Sequence, residues 1–179
     1  MIEINSKGHI FKIKNSPDEI NLGEFQQVIT AIDDTSFFFE SWLNILEILS
    51  GDSGIKKTIG EDDFYKVITH INFTQTDIKD SIEIDGVEYK ANVINNKPNL
   101  SAWEFSEIEK LVKKYPEKWL SKAMSIIFNT DVEDMNVFKD KCLLFESKMT
   151  IDVALPYVIK VNTSLLDNIK KIAEAVESK

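Results

Sequence analysis

An α+β fold built on a duplicated unit is what the sequence predicts: a β-hairpin followed by about three helices, used twice, with a C-terminal helical extension. Three observations predict it. The first is a recurrence in chain order. Ile2-Glu3-Ile4-Asn5 returns as Ile82-Glu83-Ile84-Asp85, Phe11-Lys12 as Tyr89-Lys90, Asn21-Leu22-Gly23 as Asn99-Leu100-Ser101, Glu24-Phe25 as Glu104-Phe105, and Glu40-Ser41-Trp42-Leu43 as Glu117-Lys118-Trp119-Leu120. Each return falls 77 to 80 positions later. The second is a turn signal between extended apolar stretches at the head of each copy. The third is a run of apolar stripes at helical spacing behind each hairpin. The predicted units are residues 1–76, 77–146 and 147–179.

In the first copy, Ile2, Ile4, Ile10 and Ile13 carry extended stretches broken near Ser6-Lys7-Gly8, a hairpin over residues 1–14. Asn15 to Asp18 is a turn around Pro17. Asn21 caps a helix from Leu22 with Phe25, Val28, Ile29 and Ile32 on one face. Phe37, Phe38 and Phe39 lead into a helix carrying Trp42, Ile45, Leu46 and Leu49, which the glycines at 51 and 54 stop. Glu61 to Ile71 is a further helix, and the polar residues 72–80 join the copies.

In the second copy, Asp85-Gly86 is a strong two-residue hairpin signal between Ile82, Ile84 and the alternating Val87, Tyr89, Ala91 and Val93. Asn95 to Pro98 reads as a connection. Ser101 and Glu104 form a capping box for a helix with Trp103, Ile108, Leu111 and Val112. Pro116 sits near the first turn of the next helix, which carries Trp119, Leu120, Ala123, Ile126 and Ile127. A third helix spans Val137 to Phe145. Beyond it, residues 150–161 read as a short helix kinked or interrupted at Pro156. Thr163 or Ser164 caps a last helix to about Glu177, with Leu165, Leu166, Ile169, Ile172 and Val176. That tail either closes the core or presents its apolar side to a partner.

The 179 residues carry a formal charge of −9 at 43% hydrophobic content, so the chain has material for a core. The acidic field argues against nucleic acid as the main partner. Lys110, Lys113, Lys114 and Lys118 are the one local basic run, and a solvated helix face accounts for them. The N-terminus carries no secretion signal and no apolar run spans a bilayer, so an intracellular setting without a membrane partner is expected. Cys142, the one cysteine, excludes an internal disulfide and reads as a small buried hydrophobe.

No catalytic constellation stands out. His9 and His70 belong to no zinc pattern, and glycine-rich phosphate loops are missing. Glu61-Asp62-Asp63 lies at a helix start, where carboxylates favour the dipole, and Asp131, Glu133 and Asp134 flank another. Neither has the spacing of a calcium loop. No cofactor or metal is expected.

The segment Ile20-Asn21-Leu22-Gly23-Glu24-Phe25, after a short hairpin and a turn, together with the apolar region Ser147 to Val161 containing Leu155-Pro156, resembles the small acidic tail assembly chaperones and baseplate hub assembly proteins of long-tailed bacteriophages. Copy two has Leu100-Ser101 where copy one has Leu22-Gly23. The resemblance implies a non-enzymatic protein that binds a tail or baseplate component, in the host cytoplasm or in the virion.

The function expected from these readings is protein binding during assembly of a large complex. A permanent structural subunit and a small enzyme with an acidic pocket are the alternatives. Phe37, Phe38 and Phe39 cannot all face one side of a helix, and with Leu155, Tyr157, Val158, Leu165, Leu166 and Ile169 they are the candidate interface residues. Exposed hairpin edges are a further route to a partner strand.

Overall fold

The computed structural model describes residues 1–33, 38–71, 77–115, 118–128 and 134–161; the side chains of Asp33 and Phe38 lie outside that description. Two hairpin-and-helix units follow one another, and a helix at 151–161 lies behind both.

The first unit opens with β1 (Ile2–Ser6) and β2 (His9–Ile13), paired antiparallel with Ile4 opposite Phe11. Lys7 and Gly8, at φ +51° and +84°, form the tight turn between them. Positive φ at both central residues matches the right-handed strand twist, and glycine tolerates it freely. The period of two buries Ile4, Ser6, Phe11 and Ile13 and leaves Glu3, Asn5 and Lys12 in water. After a 3-10 turn at Pro17–Glu19 come α1 (Leu22–Asp33), α2 (Phe38–Ser50), the single turn α3 (Ile55–Thr58) and α4 (Glu61–Ile68). Gly51, at φ +67°, ends α2.

The second unit opens with β3 (Ser81–Ile84) and β4 (Val87–Lys90), turned by Asp85-Gly86. The alternation expected to continue to Val93 stops at Lys90. Instead of a plain connection, residues 93–98 form a third small hairpin, β5 (Val93–Ile94) with β6 (Lys97–Pro98). Asn95 and Asn96, at φ +52° and +57°, make its turn, because asparagine tolerates the left-handed region. Then come α5 (Ala102–Lys114), α6 (Trp119–Ile127), α7 (Met135–Lys148) and α8, helical at 151–161. α7 is longer than the expected 137–145 because Asp134 caps it, accepting from the amides of Asn136 and Val137. α8 is not interrupted: it continues through Pro156, whose ring removes one backbone donor from the second turn.

The units correspond more closely in structure than letter matching indicated. The turn pairs Lys7-Gly8 and Asp85-Gly86 are 78 positions apart, which aligns Ile4 with Ile82 rather than Ile2 with Ile82. The capping boxes are 80 apart. Asn21 Oδ1 accepts from the Glu24 amide at 2.9 Å while Glu24 Oε2 accepts from the Asn21 amide at 3.1 Å. Ser101 and Glu104 repeat the exchange at 3.2 and 2.7 Å. Ser101 is therefore the equivalent of Asn21, not of Gly23.

Two clusters of buried side chains form, one per unit. The first contains Ile4, Phe11, Ile13, Leu46, Phe64 and Val67 among others, and the second Ile82, Ile108, Leu120, Met124, Phe128 and Phe145. Each takes a residue from beyond its own unit. Leu22, from α1, sits in the second cluster, and Ile151, from α8, sits in the first. The crossing point is a short antiparallel bridge between Asn21 and Thr150. The Leu22 amide donates to the Met149 carbonyl at 2.9 Å, and the Ile151 amide to the Ile20 carbonyl at 3.0 Å. α8 thereby serves both clusters, with Ala154, Tyr157 and Val161 in the second.

Candidate functional site

α5 and α6 pack against each other, and α8 lies beside them. Their facing stripes leave an apolar groove of about 140 Å³. α5 supplies Phe105, Ile108 and Val112, α6 supplies Trp119, Ala123, Met124 and Ile127, and α8 supplies Val158 and Val161. Glu109 and Lys113 are the charged residues on its described lining, and they pair with each other at 2.8 Å. The wall is thus almost wholly hydrocarbon, and its one ion pair is self-satisfied. α5 forms such a wall because its apolar residues cover too wide an arc for one neighbour: Ile108 is buried, Phe105 and Leu111 half-buried, and Trp103 and Val112 exposed.

The sequence-derived interface residues do not gather at one place. Val158 lines the groove. Leu155, three positions earlier on the helix, faces the first cluster. Tyr157 is a correction: it is fully buried, its ring 5.2 Å from that of Phe128, and its hydroxyl donates to the Lys79 carbonyl. A helix wedged between two units has little outer face, so adjacent apolar positions point in different directions. Phe39 is half-exposed and leans on Phe64 at 4.5 Å. Phe37, Leu165, Leu166 and Ile169 lie outside the described residues, as do Thr163, Ser164, Ile172, Val176, Pro116, Asp131 and Glu133 and the side chain of Phe38. Phe105, Val112 and Trp119 were missed as surface formers, since each fits a core stripe equally well.

The reactive groups are held quiet. Burial pushes the Cys142 thiol up, away from the reactive thiolate. Burial pushes the Lys141 ammonium down; its Nζ donates to the Phe128 carbonyl at 3.0 Å and sits over the Tyr89 ring at 5.0 Å. The Tyr157 hydroxyl is pushed up to about 12, by burial first and the Asp80 carboxylate second. His9 and His70 are exposed. In the basic run, Lys110 pairs with Glu107 and Lys114 lies over the Tyr115 ring. Among the described residues no group of three His, Cys, Asp or Glu is placed to hold a metal, and no buried side-chain polar atom lacks a partner. No described helix is long and apolar enough to cross a membrane.

No protein-family model matches the chain. Among curated proteins it is similar over 93 residues, at 32% identity, to the Tol-Pal system protein TolB of Ruthia magnifica subsp. Calyptogena magnifica. That stretch is 52% of this chain and spans a fifth, 20%, of the relative's length. No solved structure matches.

Proposed function

We propose that this chain is a non-enzymatic protein-binding factor that holds a client along the α5–α6–α8 groove during assembly of a larger complex. The observation that carries this reading is the groove itself: a hydrocarbon wall from three helices, with its one ion pair internally neutralised. Such a surface offers an apolar side chain a dry contact and offers a polar substrate almost nothing. The partial likeness to a protein of the Tol-Pal system supports the coarse reading of a protein-contact role. The finer reading, a phage tail or baseplate component as client, rests on the resemblance of residues 20–25 and 147–161.

The test is affinity capture of the tagged chain from its native cells during assembly, wild type beside Val112→Glu. Val112 is 41% exposed, so a charge there spoils the wall without entering the core. A stoichiometric partner kept by the wild type and lost by the variant supports the proposal. A partner kept equally by both, or no reproducible partner, sinks it. Absence of the chain from finished particles marks an assembly factor, and presence marks a permanent subunit.

A further inference from the structure

On another side of α6 lies a second cleft, of about 600 Å³, between α5, α6 and α7. We propose that it binds an acidic amphipathic helix of about three turns from another protein. The shape argument comes from the walls. α7 lines the cleft from Met135 to Glu146 at three- and four-residue steps, and on the other side Lys118, just before α6, is followed at four-residue steps by Lys122 and Ile126 of α6. Both are single helical ridges, so the cleft runs along the helix axes. The α7 ridge spans roughly 16 Å, the length of three helical turns. A groove between helical ridges accepts a helix laid along it.

The floor is apolar, with Leu111, Ile126 and Phe138 lining it. At the lip, Leu143 is 56% and Met135 68% exposed. α7 is apolar on two sides: Cys142 and Phe145 face inward while Met135 and Leu143 face out. Folding this chain needs only the inner side.

Charge selects the occupant. The chain carries −9, yet the cleft gathers Lys118, Lys122 and Lys139. None of the three forms an ion pair with a described residue; Lys122 lies over the Tyr115 ring at 3.3 Å. Of the two carboxylates on the lining, Glu107 is paired with Lys110 at 2.6 Å, which leaves Glu146 alone against three ammonium groups. On a chain of net negative charge the lining thus carries an excess of unpaired lysines, which favours an acidic helix over a basic one.

The experiment uses the full chain and two fluorescein-labelled synthetic helical peptides of ~14 residues, about four turns. Both carry leucine at i, i+3, i+4 and i+7, one flanked by glutamate and the other by lysine. Anisotropy should show the acidic peptide binding at least tenfold more tightly. Leu143→Glu should weaken it tenfold or more, and Lys122→Glu with Lys139→Glu should reverse the preference. Val112→Glu should leave peptide binding unchanged, which separates this cleft from the groove proposed for the client. Unfolding midpoints for each variant confirm that the fold is kept. Equal binding of the two peptides, or indifference to Leu143→Glu, overturns the proposal. So does a dimer that Leu143→Glu dissolves, which would assign this face to a second copy of the chain.

Discussion

Gln26 is buried on α1, and its Oε1 accepts the backbone amide of Leu120 at 2.8 Å. α6 has no cap from its own flanking residue Lys118, so a side chain 94 positions earlier satisfies one of its first-turn donors. Gln26→Ala strands that donor in the interior and should cost about 1–3 kcal/mol in denaturant unfolding, whereas Gln26→Glu keeps an acceptor. Tyr157 makes a pH prediction. Its folded pKa of about 12 lies above the ordinary value of 10.0, so the protonated phenol favours the folded state. That contribution is complete below pH 10 and is lost as pH rises toward 12, because the unfolded chain releases the proton first. Tyr157→Phe should cost about 1 kcal/mol at neutral pH and flatten the fall in stability between pH 10 and 12 relative to wild type. An unchanged alkaline slope in the variant would contradict the assignment.

Among the elements, those fixed by neighbours in the chain were legible and those fixed by distant partners were not. Asp85-Gly86, the Ser101–Glu104 box and the Gly51 stop each work within four residues, so their chemistry is written locally. The β5–β6 hairpin was missed because Asn95-Asn96 fits a loop as well as a turn, and two-residue strands carry no period to read. Replacing Asn96 with glycine should stabilise this hairpin by a few tenths of a kcal/mol, since glycine meets no penalty at φ +57°. The α5–α6–α8 groove was illegible for another reason. Val112 and Trp119 obey helical spacing, and only the packing partner decides whether such residues are covered. Gly23, in the segment Ile20 to Phe25, gains a reason in packing: a Cβ there would meet the Glu146 side chain and carbonyl at 3.1 and 3.2 Å, so α1 starts close against the end of α7.

At the scale of the whole molecule, the repeat is real in its parts but not in its independence. Leu22 completes the second cluster and Ile151 the first. The two clusters should therefore unfold in one calorimetric transition, with calorimetric and van't Hoff enthalpies in agreement. Ile151→Ala should lower the stability of that single transition by about 2–5 kcal/mol, the cost of emptying a fully buried site. Two resolved transitions in the wild type would show that the units behave separately. A truncation from residue 147 removes Met149, Ile151, Ala154 and Tyr157 from the interior and should leave no cooperative fold.

The placement of Ile151 also bears on how the protein is made. A ribosome emits the first hairpin and its helices well before the residue that fills their interior. At roughly 5–20 residues per second, the eighty or so residues between α4 and α8 occupy on the order of ten seconds. Throughout that interval the nascent first unit lacks one buried member of its cluster, and only the emergence of α8 supplies it. Duplication here has produced a first unit whose interior is closed only once α8, about eighty residues further along, has been made.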